Sequence, residues 1–131
     1  HVAILLNRLR LFDVLSLAGP RPIVAWSAGA MALAERVVVF HDSPPQGAGN
    51  AEILDAGLGR CPGVVPLPRG SERLRLEDPV RVGILARRFR DQACVTLDPG
   101  SRLILSKGRR LSGPGTRQLH HDGGVRQVET A

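Results

Sequence analysis

The chain of 131 residues has few aromatic side chains and almost no lysine. Phenylalanine and tryptophan together make up 3% of it, and tyrosine is absent. Proteins that stack nucleic-acid bases need aromatic platforms, so this scarcity argues against that class. Only Lys107 among the 18 basic residues is lysine, and the arginines are scattered along the chain. The formal net charge of +6 therefore fits a solvated basic surface, and a basic nucleic-acid-associated module remains an alternative.

The chain also has little cysteine and no long apolar run. Cys61 and Cys94 have neither metal-ligand spacing nor a redox motif, and each borders an apolar segment. We expect two buried free thiols, which fits a reducing cytoplasm. No stretch approaches the roughly 20 apolar residues of a membrane span, and no signal peptide is visible. The sequence thus predicts no membrane partner, no metal and no cofactor.

Apolar spacing predicts alternating helices and short strands. The predicted helices cover Val2–Leu17, Ala28–Glu35, Ala51–Ala56 and Val80–Phe89. The predicted strands cover Ile23–Trp26, Val37–Phe40, Gly63–Leu67, Ala93–Leu97, Leu103–Leu105, Gln118–His121 and Val125–Val128. The predicted loops cover His41–Asn50, Pro68–Glu77 and Gly108–Gly115.

Two local signals sharpen the C-terminal half of this prediction. Asp78 followed by Pro79 is typical of a helix N-cap with proline in the first turn. The turns Asp98-Pro-Gly100 and Asp122-Gly-Gly124 each predict a hairpin. Strands that alternate with helices indicate an α/β domain with a mostly parallel sheet, and the hairpins indicate an antiparallel extension at one edge.

Ser27 lies in a segment, Ala25-Trp-Ser-Ala-Gly29, that matches the small-x-Ser-x-Gly pattern of a nucleophile elbow. At such an elbow the serine has a strained backbone at a strand-to-helix turn, and its hydroxyl points out above the sheet. Small residues two positions before and after allow the strand and the helix to come close. The N–H of Ala28 would then lie at a helix N-terminus and donate to an oxyanion.

The segment Trp26-Ser-Ala-Gly-Ala30, followed by a strand and an acidic Pro/Gly-rich loop, resembles the dipeptidase E and cyanophycinase family of serine peptidases. This family belongs to the class I glutamine amidotransferase-like superfamily. The opening helix, Gly63–Pro68 and the segment ACVTLDPGSRLIL also look like that family, so the resemblance covers roughly residues 1–105. It implies a flavodoxin-like three-layer α/β/α domain over 1–131, with 106–131 as a hairpin extension.

The resemblance has a further implication at the start of the chain, whose first residue is His1 and not methionine. We expect a processed or trimmed chain whose first strands and Gly-Gly oxyanion loop lie upstream. Missing strands would leave apolar surface, so a homodimer is an expected partner state.

The resemblance also implies functions for individual residues. Ser27 matches the nucleophile, Ala28 the residue whose N–H helps to form the oxyanion hole, and Asp42 the acidic partner. The family has a Pro-His pair at the end of the next strand, where this chain has Pro68 and Arg69. A guanidinium stays protonated near neutral pH and cannot act as a general base, so we expect activity to be weak or absent.

Other histidines are candidates for the missing base. His41 follows the strand after the elbow helix, at the same predicted sheet edge as Ser27. Its neighbour Asp42 is poorly placed to orient it, because adjacent residues on an extended segment point to opposite sides. His120 and His121 flank a Gly-Gly turn, where a solvated edge is the simpler interpretation. Arg69 itself could bind a carboxylate or phosphate.

Three classes of function follow from these observations. The first is a serine hydrolase acting on small peptides or an Asp-containing polymer. The second is a non-catalytic relative that binds a small anionic ligand or a protein. The third is the basic nucleic-acid-associated module.

Overall fold

The computed structural model describes residues 21–40, 51–106 and 111–128. Its helices are α1 (Ser27–Ala32), α2 (Gly70–Arg73) and α3 (Pro79–Arg88). Its strands are β1 (Arg36–Phe40), β2 (Ala51–Ala56), β3 (Val64–Pro68), β4 (Ala93–Leu97), β5 (Ile104–Leu105), β6 (Leu111–Ser112), β7 (Arg117–Leu119) and β8 (Val125–Gln127). The predicted helix over 2–17 and the predicted loop over 41–50 lie outside the described residues.

The main sheet has four strands in the order β3-β4-β7-β8. β3 pairs parallel with β4, in a register that places Val65 opposite Cys94. A parallel pair needs a crossover connection, which α2 and α3 supply. β7 then pairs antiparallel with β4, and β8 with β7, so the predicted 118–128 hairpin extends the sheet at one edge.

The core lies between this sheet and α3. Helix α3 forms because Asp78 caps it, Pro79 occupies its first turn, and its apolar residues recur on one face. The buried cluster consists of Val38, Val65, Leu67, Leu74, Val82, Leu85, Ala86, Phe89, Cys94 and Leu119. Val38 belongs to β1, so the separate β1–β2 ribbon packs against the same core.

The α/β class is therefore correct, and the sheet of the described chain is mixed. Among the described strands only β3 and β4 pair in parallel, and the other pairs are antiparallel. The expectation of a mostly parallel sheet is not met in this part of the chain. The predicted strands near β1, β3 and β4, the helix over 80–89 and the 118–128 hairpin are confirmed within a few residues.

Residues 51–56 form strand β2, so the predicted helix there is wrong. β2 pairs antiparallel with β1 from Arg36 opposite Ala56 to Phe40 opposite Ala51, with a bulge between Val37 and Val38. Alanine, glutamate and leucine favour a helix only weakly, by tenths of a kcal/mol each. Pairing with a strand of three valines and a phenylalanine outweighs that preference.

The segment Ile23–Trp26 is not a strand, which corrects the prediction of a buried one. It is irregular, with Val24 exposed over 82% and Trp26 over 77% of their surfaces. A four-residue apolar run carries no periodicity that identifies a strand, and no described strand pairs with it.

Two further differences concern the loops beside the sheet. The predicted loop over 68–77 contains α2, a single helical turn. The chain after Asp98-Pro-Gly100 does not return along β4, because β7 occupies that edge of β4. Ile104 and Leu105 pair instead with β6.

Candidate functional site

Ser27 is the first residue of α1 and has a strained backbone. Trp26 before it is extended, with φ −140° and ψ 160°, and Ser27 itself has a φ of 49°. The N–H groups of Gly29 and Ala30 donate to the carbonyl of Trp26 at 3.0 and 3.3 Å, which closes the turn. A positive φ on a non-glycine residue costs about 1–3 kcal/mol and is concentrated at functional sites.

The small residues around Ser27 were expected to be needed for close packing of a strand and a helix, and at Gly29 this expectation is wrong. A Cβ added at Gly29 would have no described heavy atom within 4 Å, so close packing does not require glycine there. The buried members of α1 are Ala30 and Ala32. These small side chains, rather than Gly29, let the helix pack closely on β3.

The position of α1 follows from the hydrogen bonds at its C-terminal end. The N–H of Leu58 donates to the carbonyl of Ala32 at 2.8 Å, and the N–H of Cys61 to that of Leu33 at 2.9 Å. Residues 57–61 lead into the start of β3. The C-terminal end of α1 is thus held at the edge of the sheet where β3 begins.

The Ser27 hydroxyl is exposed and has no hydrogen-bond partner within the described ranges. His120 and His121 lie in the turn between β7 and β8, where the His121 carbonyl accepts from Arg87 at 2.9 Å. His41 and Asp42 fall outside the described residues, so their predicted functions stay predictions.

Arg69 follows β3, as predicted, and has a left-handed backbone with φ 54° and ψ 37°. Its N–H donates to the carbonyl of Leu97 at 2.9 Å, and this bond continues the β3–β4 ladder. Its guanidinium forms an ion pair with Glu72 at 2.6 Å, with the Arg69 side chain 60% exposed. A charged guanidinium, and not a base, thus stands at the carboxyl end of β3.

A cluster that the sequence did not predict lies beside Arg69. The Ser71 hydroxyl donates to Asp98 Oδ2 at 2.5 Å, and the Ser71 N–H donates to Asp98 Oδ1 at 2.9 Å. Arg117 donates to the Ser71 hydroxyl and lies 3.6 Å from Asp98 Oδ2. Ser71 follows β3 and Asp98 follows β4, and parallel strands end at the same sheet edge, which was the available signal.

Hydrogen bonding keeps Asp98 ionised. Partial burial on its own raises the pKa of Asp98, but hydrogen bonds from Ser71 and Thr96 and the charge of Arg117 outweigh it. The net pKa therefore lies below the ordinary value. The only proton acceptor that the described residues place beside the Ser71 hydroxyl is the Asp98 carboxylate, whose lowered pKa makes it a weak base, so the cluster acts as a tie between the ends of β3, β4 and β7.

The end of β1 reaches the same edge. The Arg73 guanidinium lies 5.2 Å from the centre of the Phe40 ring, a cation–π contact between α2 and the last residue of β1. We call the meeting point of the carboxyl ends of β1, β3 and β4 the carboxyl edge. In open α/β sheets ligands bind at such an edge.

The described residues hold no group of three or more metal-ligating side chains. Both cysteines are free, Cys94 buried and Cys61 half-buried. Burial raises the pKa of the Cys94 thiol to about 12 and raises that of Cys61 as well, so neither is a reactive thiolate. Each helix in the described ranges is too short or too polar to cross a bilayer.

Comparison with protein-family models, with curated proteins and with solved structures finds no match to this chain.

Proposed function

We propose that this chain is a cytoplasmic, serine-peptidase-like domain of flavodoxin-like architecture, in which Ser27 is the nucleophile of an acyl-transfer reaction. The observation that carries the proposal is the backbone of Ser27. A strained, exposed serine at the first position of a helix meets part of what a nucleophile elbow requires, although the segment before it, Ile23–Trp26, is irregular and not a strand. The resemblance of residues 26–30 to the dipeptidase E and cyanophycinase family points to small, Asp-containing peptides as substrates.

The proposed reaction begins when the Ser27 oxygen attacks the carbonyl carbon of a peptide amide. Its proton passes to a base, and the amine leaves with a proton to give an acyl-enzyme that water then hydrolyses. Arg69 cannot be that base, because its guanidinium keeps its proton. His41, with Asp42 as the acidic partner, is the remaining candidate near the end of β1, and the N–H of Ala28 would donate to the oxyanion.

A fluorophosphonate probe tests this proposal, since it labels activated serines. We expect slow labelling of the wild-type chain and none of Ser27→Ala. Ser106→Ala is the matched control, because Ser106 is exposed and distant in sequence from the elbow. Labelling that survives Ser27→Ala, or a wild-type chain that takes up no probe, would remove the nucleophile assignment.

A second candidate is a non-catalytic relative that binds a small carboxylate, and the position of Arg69 favours it. An exposed guanidinium at the end of β3 offers the planar donors that a carboxylate accepts. Arg69→His distinguishes the two candidates. If this variant hydrolyses Asp-containing dipeptides while the wild type does not, position 69 is where the base was lost.

A further inference from the structure

A groove with a volume of about 400 Å³ lies beside α3 and contains none of the side chains assigned above. Its walls are α3, the segment after α2, and parts of β2 and β7. Its floor consists of Leu74, Val82, Leu85 and Leu119, all buried members of the core. Ligand pockets in proteins begin at about 300 Å³, so the groove is large enough for a small molecule.

The rim of this groove is positively charged. Arg75, Arg81 and Arg88 line it, and among the described lining residues one carboxylate, that of Glu52, stands against them. Arg81 is held by Asp78, with Nε 3.4 Å from Oδ2. No carboxylate of the described chain forms an ion pair with Arg75, whose side chain is exposed at the mouth of the groove.

Ile84 adds apolar surface beside these charges. It lines the groove and remains 49% exposed, although it belongs to the helix that covers the core. A ligand that covers Ile84 would gain hydrophobic free energy in proportion to the apolar area removed from water, whereas the floor residues are already buried and would add mainly van der Waals contact.

We propose that this groove binds a small amphipathic carboxylate, a medium-length alkyl or aryl acid. Its apolar part would lie on the floor and against Ile84, and its carboxylate would accept from Arg75. Apolar lining with a few charged donors at the mouth is the usual design of a small-molecule site. A concave groove of limited volume favours a free acid over a lipid bilayer, which needs a broad, flat apolar face.

Decanoate, kept below its micelle-forming concentration, is the probe that tests this proposal. We expect saturable one-site binding by calorimetry, with amide shifts of Leu85 and Leu119 in NMR spectra. Octanoate, shorter by two methylene groups, should bind roughly tenfold more weakly. Arg75→Gln should weaken decanoate binding by about tenfold, because a charge-assisted hydrogen bond is lost.

Matched variants separate a built site from general attraction to a basic protein. Arg90→Gln removes the same charge from an exposed position just after α3 that does not line the groove, and should leave binding within twofold of wild type. Ile84→Gln should weaken decanoate binding several-fold without removing a core residue. Ser27→Ala should bind as the wild type does.

Three results would overturn the proposal. One is the absence of saturable decanoate binding up to millimolar concentration. Another is equal weakening by Arg75→Gln and Arg90→Gln, which would mean attraction by overall charge. The third is sedimentation with anionic phosphatidylglycerol vesicles without binding of monomeric decanoate, which would assign this face to a membrane surface.

Discussion

Gly123 and Gly100 share a left-handed backbone but have different surroundings. Their φ angles are 87° and 81°. A Cβ at Gly123 would lie 2.3 Å from the carbonyl oxygen of Pro79, whereas one at Gly100 would have no neighbour within 4 Å among the described residues. Gly123 thus lets the β7–β8 turn touch the first residue of α3.

Replacing each glycine by alanine separates the energy of backbone strain from that of a steric clash between the new Cβ and its neighbours. We expect Gly100→Ala to lower the free energy of unfolding by about 1 kcal/mol, from backbone strain alone. Gly123→Ala should lower it by about 3 kcal/mol, because the Pro79 backbone must also shift. Urea unfolding followed by circular dichroism measures both. Equal losses in the two variants would show that the turn does not pack on α3 as described.

At the level of single residues, the sequence predicted the backbone of Ser27 but not its surroundings. The pattern around Ser27 indicates a strained serine at a helix start, because small residues and helix formers act on the backbone within a few positions of where they stand. The tie between Ser71, Asp98 and Arg117 joins residues far apart in the chain, and no local pattern records which of them meet. For the same reason, the sequence could not exclude His120 and His121 as bases.

Among the elements, α3 has the clearest local cause. Asp78 Oδ1 accepts from the N–H groups of Val80 and Arg81 at 3.0 and 3.1 Å, and Pro79 has no N–H to satisfy. The helix carries much of the core and one wall of the arginine-rimmed groove. Its cap therefore affects both stability and the proposed ligand site.

Asp78→Ala should lower the free energy of unfolding by about 1 kcal/mol, the usual cost of a lost N-cap. The adjacent Glu77→Ala is the control, because Glu77 is exposed and caps nothing; it should change stability by less than about 0.5 kcal/mol. Thermal unfolding measures the difference. If both variants unfold at the same temperature as the wild type, the cap does not stabilise α3.

Elements that begin or end at a local sequence signal were predictable, and elements that form only because a neighbouring strand pairs with them were not. The Asp78-Pro79 start of α3 and the Asp122-Gly-Gly124 turn act within a few residues, and the structure has both where the sequence indicates. β2 exists because β1 lies beside it, and its sequence AEILDA favours a helix in isolation. Likewise, Leu105 pairs with β6 because β7 already occupies the edge of β4 to which the predicted hairpin would return.

At the scale of the whole molecule, Asp98 connects three strands at the carboxyl edge. Its pKa is lowered in the folded chain, so its contribution to stability is present above the unfolded-state value of about 3.9. That contribution is lost as the pH falls through the lower folded value. Acid should therefore loosen this edge as Asp98 becomes protonated.

Asp98→Asn should be less stable than wild type at pH 7, by about 2 kcal/mol, because hydrogen bonds to a charged acceptor are replaced by weaker ones. The gap between the two proteins should be narrower at pH 3, because the unfolded wild-type chain takes up a proton below about pH 3.9 that the folded Asp98 carboxylate resists. Urea midpoints at both pH values provide the measurement. Asp91→Asn, at an exposed position, should track the wild type throughout. If the stability difference between the two proteins were the same at both pH values, the lost stability would come from the changed shape of the side chain and not from its charge.

The pairing of β4 also has a consequence for the order in which the chain can fold. β4 pairs Cys94 with Val65 on one side and with Leu119 on the other, and both partners are distant in sequence. Two long connections must close, each at an entropic cost, before β4 gains either neighbour. The β7–β8 hairpin closes through a short local turn and does not have to wait for them. Of the two inner strands of the sheet, β4 is thus the one whose pairing depends most on the rest of the chain.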